Sequence, residues 1–344
     1  MNSWRDEKAL EAIEAARNAL EFVLETRKRE SIVIFCDDEK TDVCEPFSLG
    51  ALQLDLKTHL VKLKTEPTVR KEIPPEIKHT FTKQRTDIFI NLLRGNREET
   101  TFRIKLTEME TKNRKARLAH CPGITFDMLT DGALALTTGD HRKMQNFAYD
   151  LIQRLRRASR VEITNPAGTD VSMSVEGRPF FTDTIIDWTR LDWINMPTGE
   201  VTVAPVENSL EGILVCDMAI GGIGPIKEAV GFTTKKGKVQ KIESQDNRIL
   251  TIVEKSLETD SRANILGEFA FGINPKARFV EEFLEAEKIL GTVHVAFGNN
   301  ADMPCGKNPS TNHMDLLISK PTVTIVNKDN SSLDVLSDGT FERS

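Results

Sequence analysis

Ser31-Ile-Val-Ile-Phe-Cys-Asp37 is a short, unbroken apolar run that stops at two adjacent aspartates, Asp37 and Asp38. Continuous rather than alternating hydrophobicity marks a strand covered on both faces, as strands of parallel sheets are. Upstream, Leu10, Ile13, Leu20, Val23 and Leu24 recur at helical spacing within residues 3–28. Downstream, residues 59–64 and 86–93 repeat the strand texture, with helical stretches between them. Residues 117–121 add a fourth candidate strand, and 139–158 read as a long closing helix. Alternating helix and strand predicts an α/β domain with an open, mostly parallel sheet over residues 1–159.

The texture changes near Ser159. Residues 160–164 and 169–175 alternate apolar and polar positions around the turn Asn165-Pro-Ala-Gly168. Strand-like runs then recur at 201–204, 212–217, 239–242, 292–297 and 321–326, with helices expected at 246–258 and 277–290. Residues 160–344 are therefore expected to form a second, β-rich α+β domain.

The 344 residues have the composition of a folded globular protein, 39% hydrophobic and 28% charged. A net charge of −6 leaves no basic excess to neutralise phosphates, which argues against nucleic-acid binding. The basic run Lys112-Asn-Arg-Lys-Ala-Arg117 reads as a solvated helix face. No apolar stretch approaches the ~20 residues of a membrane span, and no leader pattern opens the chain. The five cysteines, at 36, 44, 121, 216 and 305, lack paired spacing and fit free thiols in a reducing compartment. A cytoplasmic protein without membrane or nucleic-acid partners is expected.

The chemistry concentrates in the second half. Gly291-Thr-Val-His-Val-Ala-Phe-Gly298 and Thr311-Asn-His-Met-Asp-Leu-Leu-Ile318 place His294 and His313 in short apolar strands. Asp315 lies two residues beyond His313, so both point to one face of an extended strand. Glu200 follows the turn Met196-Pro-Thr-Gly199 and opens a strand, and Glu268 precedes the apolar run Phe269-Ala-Phe-Gly272. Such a carboxylate is seldom buried without a partner. Two imidazoles and three carboxylates suit a two-metal hydrolytic site, where ions activate water and polarise a carbonyl. On spacing alone the histidines and Asp315 suit a single-metal triad equally well.

These blocks resemble, in order, the signatures of the M29 metallopeptidases, the aminopeptidase T and aminopeptidase S group. The resemblance is carried by Thr198-Gly-Glu200-Val with Ala204-Pro205, by Gly267-Glu268 with Gly272-Ile-Asn-Pro275, by Gly291-Thr-Val-His294 and by His313-Met-Asp315, with support from Asn165-Pro-Ala-Gly-Thr-Asp170 and Val175-Glu-Gly177. It runs from about residue 160 to 315, and the N-terminal half matches only in general plan. The resemblance implies a metalloaminopeptidase, a hydrolase that removes N-terminal residues from peptides. It makes Glu200, Glu268, His294, His313 and Asp315 the ligands of two divalent ions, zinc, cobalt, manganese or magnesium, with Glu268 bridging. Glu200 and Glu268 become the candidate catalytic carboxylates, and a homodimer is implied. The family has a tyrosine seven residues after its first ligand histidine; here that position is Ala301, with Asn299, Asn300 and Lys307 as nearby polar substitutes.

A rival resemblance keeps the fold and changes the reaction. A ring-cleaving dihydroxypyridine dioxygenase is similar to this family but holds one Fe(II) through two histidines and an aspartate, roles open to His294, His313 and Asp315. It leaves Glu200 and Glu268 without a purpose. The glycine-rich Gly221-Gly-Ile-Gly224 lacks the lysine of a phosphate-binding loop and reads as a turn between strands. Asp37 and Asp38 read as a turn flanking a helix.

Overall fold

A computed structural model of the chain describes residues 3–65, 69–83, 86–112 and 116–342. The run that opens the sequence reading forms β1 (Ser31–Asp37), preceded by α1 (Ser3–Phe22) and followed by α2 (Thr41–Gln53). The chain continues through β2 (Lys57–Leu63), α3 (Pro75–Lys83), β3 (Ile88–Leu92), α4 (Thr100–Thr111), β4 (Arg117–His120), α5 (Phe126–Thr130) and α6 (Thr138–Leu155). The antiparallel part begins with β5 (Ala158–Thr164), β6 (Asp170–Ser174) and β7 (Phe181–Thr182), before β8 (Trp193–Asn195). The strands β9 (Glu200–Val203), β10 (Glu211–Cys216), β11 (Ala219–Ile220), β12 (Gly224–Pro225), β13 (Val230–Lys235) and β14 (Lys238–Ser244) lead to α7 (Asn247–Leu257). Last come β15 (Leu266–Gly272), α8 (Phe283–Ala286), β16 (Val293–Gly298), β17 (His313–Ile318), β18 (Thr322–Asn327), β19 (Ser332–Ser337) and β20 (Thr340–Phe341).

The chain divides into two compact units, each assembled from separated segments. The first comprises Met1–Gln145, Asp183–Thr198 and Lys276–Arg278; the second comprises Asn146–Thr182, Gly199–Pro275 and Phe279–Ser344.

In the first unit a five-stranded sheet runs in the order β2-β1-β3-β4-β8, with every pair parallel. Alternate residues of β1 serve different cores. Ile32, Ile34 and Cys36 pack with α1 and α2 residues such as Leu20 and Phe47, whereas Val33 and Phe35 pack with Phe102 and Leu106 of α4. Both faces are covered, which is why the sequence shows no alternation there. Asp37, at the end of β1, forms a buried ion pair with Arg70, whose guanidinium also holds Glu99. Asp38 accepts hydrogen bonds from Thr65. Both aspartates thus brace the turn. Arg117 donates to the carbonyls of Leu24 and Glu25 and pairs with Glu30; residues 113–115 of the basic run lie outside the described residues.

The second unit holds two antiparallel sheets. One has eight strands in the order β14-β13-β10-β6-β5-β18-β19-β20, and the other seven in the order β12-β11-β17-β16-β15-β9-β7. Their inner faces meet through pairs such as Phe232 of β13 and Phe297 of β16, with ring centroids 6.0 Å apart. Gly221-Gly-Ile223 form the tight turn between β11 and β12, and Gly224 opens β12, in keeping with the turn expected there.

The helix expected over 277–290 does not form as such; only α8 is helical. The backbone beyond it is drawn into pairing with the end of β15. Asn274 donates to the carbonyl of Lys288, Leu290 donates to that of Asn274, and Gly291 to that of Gly272. Those bonds replace the ones a helix would make. No helix among the described residues is long and apolar enough to cross a membrane.

Candidate metal centre

Four neighbouring strands of the seven-stranded sheet, β9, β15, β16 and β17, carry all five residues singled out from the sequence. Residues paired across an antiparallel ladder share a face, as do residues two apart on one strand. Glu200 faces Gly272, His294 faces Ala270, Glu268 and Asp315 both face Ala296, and His313 faces Gly298. From Glu268 to Phe271 the register against β16 is unbroken, and the one shift lies before it, between Leu266 and Glu268. Glu200, Glu268, His294, His313 and Asp315 therefore stand on one face, separated by Ala270, Gly272, Ala296 and Gly298. These small neighbours keep the space above the sheet open between the donors. The opposite face presents Val203, Phe269, Phe271, Val295, Phe297 and Leu316, all buried in the core.

The two oxygens of Glu268 address different histidines. Oε1 lies 3.8 Å from His294 Nε2, and Oε2 lies 3.3 Å from His313 Nε2. His313 Nε2 is also 3.2 Å from Asp315 Oδ1, and His294 Nε2 is 3.7 Å from Glu200 Oε2. Among the described residues the donors fall into three sets whose atoms lie within 4.8 Å of one another: Glu200, Glu268 and His294; Glu268, His313 and Asp315; and Glu287, His294 and Asp315. No set contains both histidines.

Supporting contacts fix several donors. His313 Nδ1 is 2.8 Å from the carbonyl of Asn299, which leaves Nε2 for the centre. Thr202 Oγ1 donates to Glu268 Oε1 at 2.5 Å. His294 Nδ1 is buried without a hydrogen-bond partner. A β-carbon on Gly221 would come within 3.3 Å of Asp315 Oδ2, so the turn glycine makes room for that carboxylate.

Opposed charges collect here, with Glu268 and His294 buried and His313 at the exposed edge. Burial works against an ionised Glu268, yet hydrogen bonds and charges from His294 and His313 hold its carboxyl well below the ordinary value. Burial likewise disfavours protonated His294, but Glu268, Glu287, Asp315 and Glu200 push it up to about 9. His313 is raised well above its usual value against its own desolvation, chiefly by Asp315. Asp315 is correspondingly lowered against burial by His313.

Two members of the cluster escaped the sequence reading. Glu287 and Lys288 sit just after α8, in a stretch read there as the tail of a helix. Lys288 is only 2% exposed, with Nζ 2.6 Å from Glu200 Oε2 and 2.9 Å from Glu287 Oε1. Burial pushes the Glu287 carboxyl up to about 7, with Lys288 opposing. The available signal was a lysine flanked by Ala286, Ile289 and Leu290, a setting in which a charge needs a partner.

The loop after β16, which carries Ala301, is pinned from inside. Asn300 donates to the Gly267 carbonyl and accepts from the Asn308 backbone, while Asn308 donates to the carbonyls of Gly298 and Arg262. Glu207 accepts from the Lys307 backbone and pairs with Arg178, which also donates to the Cys305 carbonyl. Asn299 spends its side chain on Asp302 and on the backbone of Ala301 and Ser310. Of the three polar substitutes suggested for the absent tyrosine, Asn299 and Asn300 are committed to the loop; Lys307 is exposed.

The thermophilic metalloprotease (M29) family model matches residues 140–341, more than half of the chain. The chain belongs to the M29 family. Wild-type AmpT from Thermus thermophilus superposes with a TM-score of 0.73 at 17% identity, over 97% of this chain and 99% of that one. A 2,5-dihydroxypyridine dioxygenase from Pseudomonas putida KT2440 superposes with a TM-score of 0.69 at 15% identity, over 98% of each chain. Both likenesses take in nearly the whole M29 chain and establish its fold. No functionally curated protein matches it in sequence.

The donor set suits divalent ions. Imidazole and carboxylate groups are the ordinary ligands of zinc, cobalt and manganese. The Nε2 atoms of His294 and His313, turned toward carboxylates drawn together on one face, are what an ion-binding centre presents.

Proposed function

We propose that this M29 protein is a metal-dependent aminopeptidase that hydrolyses N-terminal residues from peptides at a dinuclear centre. One observation carries the reading: the two oxygens of Glu268 serve separate donor sets, one with Glu200 and His294, the other with His313 and Asp315. A carboxylate so placed would serve both positions at once. When bound, a pair of divalent ions supplies Lewis acidity toward the scissile carbonyl and an activated water. Glu200, Glu268 and His294 would hold one ion, and Glu268, His313 and Asp315 the other. Asn299 and Thr202 keep His313 and Glu268 in place through the hydrogen bonds described above. Proton transfer to the leaving amine falls to Glu200 or Glu268. The homodimer is proposed from the family resemblance alone, and sedimentation velocity tests it.

The one-iron dioxygenase reading draws support from the fold shared with the Pseudomonas enzyme. It requires both histidines and Asp315 to converge on one ion; Asp315 groups with each histidine in turn, but no set holds both histidines. Metal analysis of protein purified without added metal, followed by assays on aminoacyl-arylamides, decides the matter. About two zinc, cobalt or manganese ions per chain with arylamide hydrolysis is the expected result. One iron per chain with oxygen-dependent turnover would replace the proposal.

A further inference from the structure

Lys288 lies against the donor sets that contain Glu200 and Glu287, and among the described residues pairs with no member of the set formed by Glu268, His313 and Asp315. Its ammonium is 2.6 Å from Glu200 Oε2, the same oxygen that lies 3.7 Å from His294 Nε2. A cation held by Glu200, Glu268 and His294 would use the oxygen that Lys288 already occupies. The second set is different. Among the described residues, no lysine or arginine forms an ion pair with Glu268 or Asp315, whose charged partners are the two histidines.

The lysine is also held in place by its backbone. Its carbonyl accepts from Asn274, and Ile289 beside it pairs with Asn274. The segment lies so close to β15 that a β-carbon on Gly272 would come within 2.2 Å of the Ile289 carbonyl oxygen. Glu287, 2.9 Å away, gives the ammonium a second partner, so releasing Glu200 does not strand a buried charge.

We propose that Lys288 is a built-in cation that makes the two metal positions unequal. The position formed by Glu268, His313 and Asp315 fills first. The position formed by Glu200, Glu268 and His294 fills second, because an incoming ion must take Glu200 Oε2 from the ammonium and then sit near its charge. Lys288 acts through Glu200 and is a positioning residue. The inference rests on the dinuclear reading above, and it adds that a chain short of metal carries one ion, on the His313 side.

Calorimetric titration of the metal-free, full-length protein with Zn2+ alone tests it, with ions counted after dialysis. The wild type is expected to bind two ions with constants ~10-fold or more apart. In Lys288→Met the second step should tighten ~10-fold, about 1.4 kcal/mol, with the first step nearly unchanged. Lys288→Arg should keep the wild-type pattern. Two equal constants in the wild type, or an unchanged second step in a folded Lys288→Met, would overturn the role of Lys288 while leaving the dinuclear centre intact. A single ion in both proteins would overturn the dinuclear reading itself and this proposal with it. Should Lys288→Met fail to fold, the spacing of the two wild-type constants still decides.

Discussion

Thr202 Oγ1 donates to Glu268 Oε1 at 2.5 Å, from a position on β9 that shares the face of Glu200. This bond directs one oxygen of the central carboxylate while leaving the other to His313. Groups that orient a ligand typically contribute 10–100-fold to metal affinity. Thr202→Val keeps the side-chain shape and removes the donor. Competition dialysis should show weaker zinc retention by about that factor, with thermal stability little changed. Unaltered retention would mean that the histidines alone orient Glu268.

Glu268→Gln tests the bridge directly. The amide keeps the volume and loses the charge that both histidines share. The variant should fold, as judged by circular dichroism, hold fewer ions, and lose arylamide hydrolysis by ~10²-fold or more. Near wild-type turnover in a metal-loaded variant would place the bridge elsewhere.

Ala301 supplies a gain-of-function test. Its side chain is exposed on a loop that Asn300 and Asn308 hold from within, so a larger residue there need not disturb the anchor. A hydrogen-bond donor aimed at a developing oxyanion contributes ~10²–10³-fold. Ala301→Tyr is expected to raise kcat for aminoacyl-arylamides by at least ~10-fold. No change would indicate a substrate other than a peptide.

His141 sets part of the pH dependence of stability. The ring is buried and stacks on Phe22 with centroids 5.2 Å apart and planes 10° apart, and its Nε2 has no partner. Burial lowers its pKa from 6.5 to about 4, with Asp140 opposing. The folded pKa is depressed, so the folded state is favoured while the imidazole is neutral. That contribution is whole above pH 6.5 and is lost as the pH falls from 6.5 towards 4. Burial lowers His120 in the same direction, to about 3. His141→Phe retains the stacked ring and removes the titration. The fall in stability between pH 6.5 and 4 should shrink by up to roughly 3 kcal/mol, measured by denaturant titration across that range. An unchanged slope would exclude His141 as a contributor.

Much of the fold was legible because its strands obey simple rules. β1 and β3 are apolar on both faces and announce a parallel sheet, while β5 and β6 alternate around a Pro/Gly turn. The return of β8 to pair with β4 was not legible. Trp193-Ile-Asn195 is too short to carry a periodic signal, and its partner lies far upstream. The expected helix at 277–290 failed for a related reason. Glu281, Glu282, Glu285 and Lys288 look like the polar side of a helix, but residues 288–291 bond to β15 instead. The five candidate positions could be singled out because Glu268, His294, His313 and Asp315 interrupt the apolar strands β15, β16 and β17 on one face only, and Glu200 opens β9 straight after a turn. Glu287 and Lys288 could not, since their approach depends on backbone pairing that no local pattern encodes.

The register of β9, β15, β16 and β17 has a consequence beyond the site. A slip of one residue on any of these strands would send its donors into the core face and its phenylalanines or valines into the cleft. In the proposed centre, ion capture would act as a proof of alignment, since a chain could hold metal there once its four strands had settled in step. Bound metal would then reward the correct pairing over its neighbours, so that the centre edits the sheet that builds it.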